Sequence, residues 1–448
     1  MHNHPDFFKD KKITVMGLGL LGRGVGDTAY LAKAGAEVIV TDLKSEDQLG
    51  PSLEKLREFS NITYRLGEHK KEDFLGRDMI LKAAGVPLDS PYIELARKDG
   101  AEIAMSGALF SKLSGIPIIG ITGTRGKSTV THMVYHVLTQ MTEGEGALLG
   151  GNVRGVSNLE LLSSVKEESI AVMELDSWQL QGFGEYKMSP QIAVFTNFME
   201  DHMNYYKNDM GAYFKDKAQI FAYQEQGDVL VTTKEVFEQA QNYMKSIGEE
   251  LHQDVRLVDS SILPEECLLS MPGEHNRTNA ALALETLRAV GMTDEEMFEG
   301  LASFPGVPGR LEYLGIVKDT VGVFNDNNST TPSATAKGIE SVAKGKNVIL
   351  IAGGTYKGVA PDAMISPIEK YCKKVILLEG TGTDLLKDKV ECEVVGSLGD
   401  AVAKAVAASD DGDIILFSPG FTSHGMFQNE YERNDMFVDL IKNYQGDE

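Results

Sequence analysis

Two stretches of this chain share one plan: a short β-branched run, a glycine-rich turn, then a helical apolar pattern. Ile13–Met16 leads into Gly17-Leu18-Gly19-Leu20-Leu21-Gly22, and Ile118–Ile121 leads into Thr122-Gly123-Thr124-Arg125-Gly126-Lys127-Ser128-Thr129. Strands that turn at once into helices belong to α/β architecture, because parallel strands need a crossover between them. Similar runs recur at Val38–Thr41, Ile170–Met173, Ile192–Thr196, Val348–Ile351, Val375–Leu378 and Ile414–Phe417, so mostly parallel sheets are expected. A chain of 448 residues exceeds one core. The loop near Ser106–Ile116 and the cluster Pro305-Gly306-Val307-Pro308-Gly309 mark boundaries, giving three domains at 1–105, 106–306 and 307–448.

The first turn is a full G-x-G-x-x-G, and Asp42 closes the next strand 20 residues after Gly22. Taken alone, this reads as a dinucleotide site, with backbone N–H groups at a helix N-terminus facing a diphosphate and a carboxylate facing hydroxyls. Any nucleotide diphosphate satisfies the same chemistry, so an NAD-dependent oxidoreductase competes for this segment. The second turn lacks the first glycine of a Walker A loop, where Ile121 stands. It still supplies what a nucleotide triphosphate needs: loop amides from Gly123 to Gly126, Lys127 for the β/γ-phosphates, and hydroxyls of Ser128 and Thr129 for Mg²⁺. Two phosphate cradles imply two phosphate-bearing ligands.

With 43 basic and 66 acidic residues, the net charge of -23 repels nucleic acid and anionic lipid. Cys267, Cys372 and Cys392 are an odd set whose spacing fits neither disulfides nor zinc, which suits a reducing compartment. The first dozen residues carry no apolar leader, and no apolar run is long enough to span a membrane. A cytoplasmic monomer without nucleic-acid or membrane partners is expected.

Thr-Gly-Thr-x-Gly-Lys-Ser-Thr resembles the ATP loop of the Mur ligases and their folylpolyglutamate synthetase relatives, and the resemblance runs over nearly the whole chain. Glu174-Leu175-Asp176-Ser177-Trp178-Gln179-Leu180 is similar to the family's Glu-Leu-Ser-Ser-Phe-Gln-Leu, with Asp176 for a Ser. Asn197-Phe198-Met199-Glu200-Asp201-His202-Met203-Asn204 resembles its Asp-His motif, with Asn204 for an acid. The resemblance implies Glu174, His202 and a carbamylated Lys217 as ligands of two Mg²⁺ ions, with Lys127, His202 and Lys217 catalytic. It further implies nucleotide contacts from Asn276, Asn279, Arg310 and Asp326, with a third domain closing over ATP.

The implied fold is a Rossmann-like N-terminal domain, a central P-loop-type ATPase domain with a mainly parallel sheet, and a C-terminal Rossmann-like domain. Leu20, Leu21, Asp42, Leu43, Lys44, Gly85 and Asn152 would hold UDP-N-acetylmuramoyl-L-alanine. Gly353-Gly354-x-x-Lys357, Ser418–Ser423 and Phe427-x-Asn429-Glu430-Tyr431-Glu432-Arg433 resemble the D-glutamate-adding branch, with Thr330, Lys357 and Ser423 on the acceptor. Asn328 stands where that branch usually has Lys, and Glu430 where an aromatic is common. The implied activity is ATP-dependent amide ligation in peptidoglycan precursor synthesis; the alternatives are a sister Mur or folylpolyglutamate-type ligase, an NAD oxidoreductase or a nucleotide-binding scaffold.

Overall fold

The computed structural model describes residues 4–445 apart from 21, 142–145, 204, 265, 266, 268, 270, 272, 424 and 428. Leu21, expected at the precursor site, and Asn204 lie outside the described residues.

The first sheet holds β1 (Lys12–Met16), β2 (Glu37–Asp42), β3 (Ile62–Leu66), β4 (Met79–Lys82) and β5 (Glu102–Ala104), in the order β3-β2-β1-β4-β5. All four pairings are parallel. The chain reverses direction across the sheet between β1 and β4, which opens a crevice at their C-terminal ends. The Gly17 turn and Gly85 both follow those ends.

The second sheet holds β6 (Ile118–Thr122), β7 (Ala147–Gly151), β8 (Ile170–Glu174), β9 (Ile192–Phe195), β10 (Val229–Thr232) and β11 (Asp254–Leu257), ordered β11-β10-β9-β6-β8-β7 and parallel throughout. Every residue of β6 is buried, as the apolar run predicts for a strand covered on both faces. The third sheet holds β12 (Glu312–Val317), β13 (Val321–Asn325), β14 (Val348–Gly353), β15 (Cys372–Leu378), β16 (Glu393–Val395) and β17 (Ile414–Phe417), ordered β12-β13-β17-β14-β15-β16. Only β12 runs antiparallel to its neighbour.

The chain packs as two compact units, Met1–Cys267 with Arg277–Leu301, and Leu268–Asn276 with Ala302–Glu448. The first unit carries the first two sheets over one continuous core that joins Val15 and Leu31 to Met173 and Phe195. Residues 106–114, read from the sequence as part of a loop, are a helix instead, because Ala108, Leu109 and Phe110 bury completely in that core. Helix α1 (Arg23–Lys33), which opens after the first glycine turn, is bolted to the second sheet's side of the unit. Asp27 accepts from Ser157 Oγ at 2.7 Å and Leu159 N at 3.0 Å, and a Cβ on Gly26 would lie 2.5 Å from that of Ser157.

Candidate active site

The second glycine loop ends β6 and opens α2 (Lys127–Met141). Its neighbour β9 delivers Thr196 and Asn197, whose place in the site sequence reading missed. Thr196 Oγ1 donates to Arg125 O at 2.5 Å, while Asn197 accepts from Thr124 N and, through Oδ1, from Arg125 N, both at 2.9 Å. The pair follows the adjacent strand, so strand order rather than local sequence is the signal for it. Asn279, on the helix Glu274–Val290 (α5), approaches so closely that a Cβ on Gly126 would sit 2.4 Å from its Oδ1.

Two amines converge on this loop. Lys127 Nζ donates to Gly123 O and Thr124 O at 3.1 Å each, and Lys217 Nζ donates to the same Gly123 O at 2.7 Å and to Thr122 Oγ1 at 3.4 Å. Lys217 comes from α4 (Met210–Ala218) and is buried, whereas Lys215 on the same helix is exposed. Burial, reinforced by the Lys127 charge, holds the Lys217 amine well below the usual lysine range, against the pull of Asp176, Asp201 and Glu174. A desolvated neutral amine is a nucleophile rather than a charge, which is what reaction with CO₂ requires.

Glu174 ends β8, directly beside Ile121 of β6, is 5% exposed, and its charge acts on Lys217. A buried carboxylate at a strand end fits a bound cation. Ser128 and Thr129 follow Lys127 on α2 with hydroxyl oxygens. His202 has φ 55°, and its ring lies 4.8 Å from that of Trp178 on α3 (Ser177–Tyr186), the chain's one tryptophan. Burial lowers the His202 pKa while Asp201 raises it, which leaves a neutral imidazole available as a ligand. Among the described residues no three His, Cys, Asp or Glu side chains form a metal cage. That donor set suits Mg²⁺, which takes one or two carboxylates and completes its shell with water and phosphate oxygens. Asp176 caps α3 by accepting from Gln179 N at 2.8 Å. Its charge is one of three, with Asp216 and Glu185, that act on Lys82, a fully buried amine unmarked in the sequence and lowered by burial to about 8.

The first glycine loop is organised differently. Asp42 Oδ2 accepts from Leu18 N at 2.9 Å and Gly19 N at 3.2 Å, and Oδ1 accepts from Lys44 N at 2.9 Å. Its carboxylate shapes the turn itself. Leu20 and Leu43 are 50% and 67% exposed, and Gly85 has open space on its Cβ side. From the second sheet Asn152 reaches the same region, accepting from Arg23 Nη2 at 2.8 Å, and its N–H donates to Glu174 O at 2.6 Å.

In the second unit the loops after β13, β14 and β17 are stitched together. Thr355 and Thr422 exchange backbone hydrogen bonds at 3.0 and 3.1 Å, and Gly420 N donates to Ser329 O at 2.8 Å. Lys357 Nζ donates to Thr330 Oγ1 at 3.1 Å, and Ser423 is buried two residues past Phe421. Asp326 accepts from Ser418 Oγ at 2.7 Å and Leu311 N at 3.2 Å, and burial lifts its carboxyl to about 6. Arg310 lies in the turn before β12. Asn276 and Asn279 stand three apart on α5 (Glu274–Val290), both buried.

The Mur ligase middle domain model matches residues 121–287, and the Mur ligase MurD-like N-terminal domain model matches residues 11–105. The chain is 33% identical to a UDP-N-acetylmuramoylalanine–D-glutamate ligase of Borreliella afzelii, covering 97% of this chain and 98% of that one. A ligase of the same name from Streptococcus uberis is 33% identical, with 98% of each chain covered. Among solved structures, UDP-N-acetylmuramate-alanine ligase MurC from Thermotoga maritima shares the fold at TM-score 0.61 and 18% identity, covering 97% of this chain and 99% of that chain. By these matches across nearly its whole length, the chain belongs to the Mur ligase family.

Proposed function

We propose that the protein is an ATP-dependent ligase that adds D-glutamate to UDP-N-acetylmuramoyl-L-alanine, as a cytoplasmic monomer in peptidoglycan precursor synthesis. The names of its relatives support this reading, and one geometric observation carries it: two amines meet on the Gly123 carbonyl, with the charge of the buried Glu174 acting on one of them. No helix among the described residues is long and apolar enough to cross a membrane. Segment 1–105 binds the precursor through Leu20, Leu21, Asp42, Leu43, Lys44 and Gly85, aided by Asn152. Segment 106–306 binds ATP, and segment 307–448 binds the acceptor through Thr330, Lys357 and Ser423, with Arg310 and Asp326 serving the nucleotide.

In this mechanism a precursor carboxylate oxygen attacks the γ-phosphorus of ATP and ADP leaves. The amine of D-glutamate adds to the acyl carbon of the resulting acyl phosphate, then phosphate leaves and the nitrogen loses a proton. Lys127 neutralises charge on the β/γ-phosphates, and the loop amides orient them. The neutral Lys217 amine bonds to CO₂ and releases a proton, which converts a neutral nitrogen donor into an anionic oxygen donor. Mg²⁺ held by Ser128, Thr129, Glu174, His202 and that carbamate, as two ions, would supply charge neutralisation to the transferring phosphoryl group.

ADP release measured with each candidate acceptor and precursor tests the reading. D-glutamate with UDP-N-acetylmuramoyl-L-alanine should be the productive pair. Asn328 and Glu430 motivate a second reading, a sister ligase with another acceptor, and preferred use of L-alanine or a diamino acid would establish that reading instead.

A further inference from the structure

Arg433, on α6 (Glu430–Gln445), is wholly buried, yet no carboxylate among the described residues pairs with it. Buried cations are costly unless their donors are used. Here the donors go to two loops of the same crevice. Nε donates to Asn327 Oδ1 at 2.8 Å and Nη2 to Asn327 O at 3.0 Å, a fork on one residue, while Nη1 donates to Phe421 O at 3.3 Å. The guanidinium also lies 5.9 Å from the centre of the Phe417 ring, at the end of β17.

Asn327 has no other freedom. Its Nδ2 donates to Glu430 O at 3.0 Å and to Asn328 Oδ1 at 3.2 Å, and its N–H to Asn325 Oδ1 at 3.2 Å. Thr330 lies three residues beyond Asn327, and Ser423 two beyond Phe421. One side chain thus fixes the roots of two loops, and Lys357 is tied to the first of them through Thr330.

We propose that Arg433 is the positioning residue of the acceptor site, setting the spacing between the Thr330 and Ser423 hydroxyls that receive the amino-acid carboxylates. Lysine cannot replace it, because an ammonium lacks the planar fork that spans Asn327 and reaches Phe421. The guanidinium, with the Glu430 charge acting on it, also places a buried positive charge behind loops that face a dicarboxylate. Even after burial lowers it, its pKa of about 10 keeps it charged at neutral pH. The inference rests on the crevice being the D-glutamate site.

The test is steady-state kinetics on Arg433→Lys and Arg433→Met, with thermal melts of both. In each folded variant the KM for D-glutamate should rise about ten- to a hundredfold, as misplaced substrate contacts do. The KM for the UDP precursor should stay within about twofold, because that ligand uses the loops of the first sheet, and the KM for ATP should rise less than that for D-glutamate, because Asp326 is also held by Ser418 Oγ and Leu311 N. If Arg433→Lys behaves like wild type, or if all three KM values rise together, the positioning role is wrong. If neither variant folds, the residue holds the fold rather than two loops, which also overturns the proposal. Wild type that does not use D-glutamate contradicts the functional reading instead, so the two failures are distinguishable.

Discussion

The Gly17–Gly22 and Thr122–Thr129 turns each follow a buried parallel strand and open a helix, yet the charges packed against them have opposite sign. In the first, a carboxylate takes the amides of Leu18 and Gly19. In the second, two lysine amines take the carbonyls of Gly123 and Thr124. The carboxylate inside the first turn shapes the loop that faces a diphosphate. The Lys127 ammonium of the second adds positive potential where a triphosphate's charge is greatest. Glycine spacing therefore fixes the turn, and the neighbouring side chains decide the ligand.

The largest effect should come from the second turn. Lys217→Ala is expected to lower turnover about a hundredfold or more, the range for losing one preorganised electrostatic contact. Short carboxylic acids should restore part of it, because the missing group is an anionic oxygen donor, while Lys215→Ala should match wild type. The same lysine predicts a pH effect. Its folded pKa is depressed, so below the unfolded value near 10.5 the unfolded chain holds the proton more tightly than the folded chain, and the penalty fades as pH rises toward that value. In CO₂-free buffer, Lys217→Met should melt above wild type at pH 7, with the gap narrowing toward pH 10. A gap that widens with pH would show that the amine is charged in the folded state.

A second contrast uses glycines of matching conformation. Gly19 has φ 68° with nothing within 4 Å of an added Cβ, whereas Gly126 has φ 82° and an added Cβ there would lie 2.4 Å from Asn279 Oδ1. Gly19→Ala should cost about 1–2 kcal/mol of left-handed strain alone, and Gly126→Ala should cost more and lose ATP-dependent turnover. Equal melts and equal activities would mean that Asn279 does not pack on the loop. The smallest effect is expected from Asp42→Asn, which exchanges charge-assisted bonds for neutral ones worth about 1 kcal/mol less, or about fivefold in precursor affinity.

Much of this contrast was legible before any coordinates. The long apolar strands, and the fact that Glu174 and the second loop lie at strand ends, follow from parallel topology, in which those ends line a crevice. Strands of three residues such as β5 and β16 carry too little pattern to read. Residues 106–114 were misread because Gly107 and three serines mask a helix whose apolar face is buried. The inward turn of Asp42 onto residues 24 and 23 positions away, and the fork of Arg433 on Asn327 at a separation of 106, are tertiary facts that local pattern does not encode.

The most direct measurement is a calorimetric grid. UDP-N-acetylmuramoyl-L-alanine and a non-hydrolysable ATP analogue are each titrated into wild type, Asp42→Asn and Lys127→Ala. Two loops serving two ligands predict a crossed pattern: Asp42→Asn weakens only the precursor, and Lys127→Ala weakens only the nucleotide. A folded Lys127→Ala protein that loses the precursor as well, or an Asp42→Asn protein that loses ATP, would contradict the division on which the account rests.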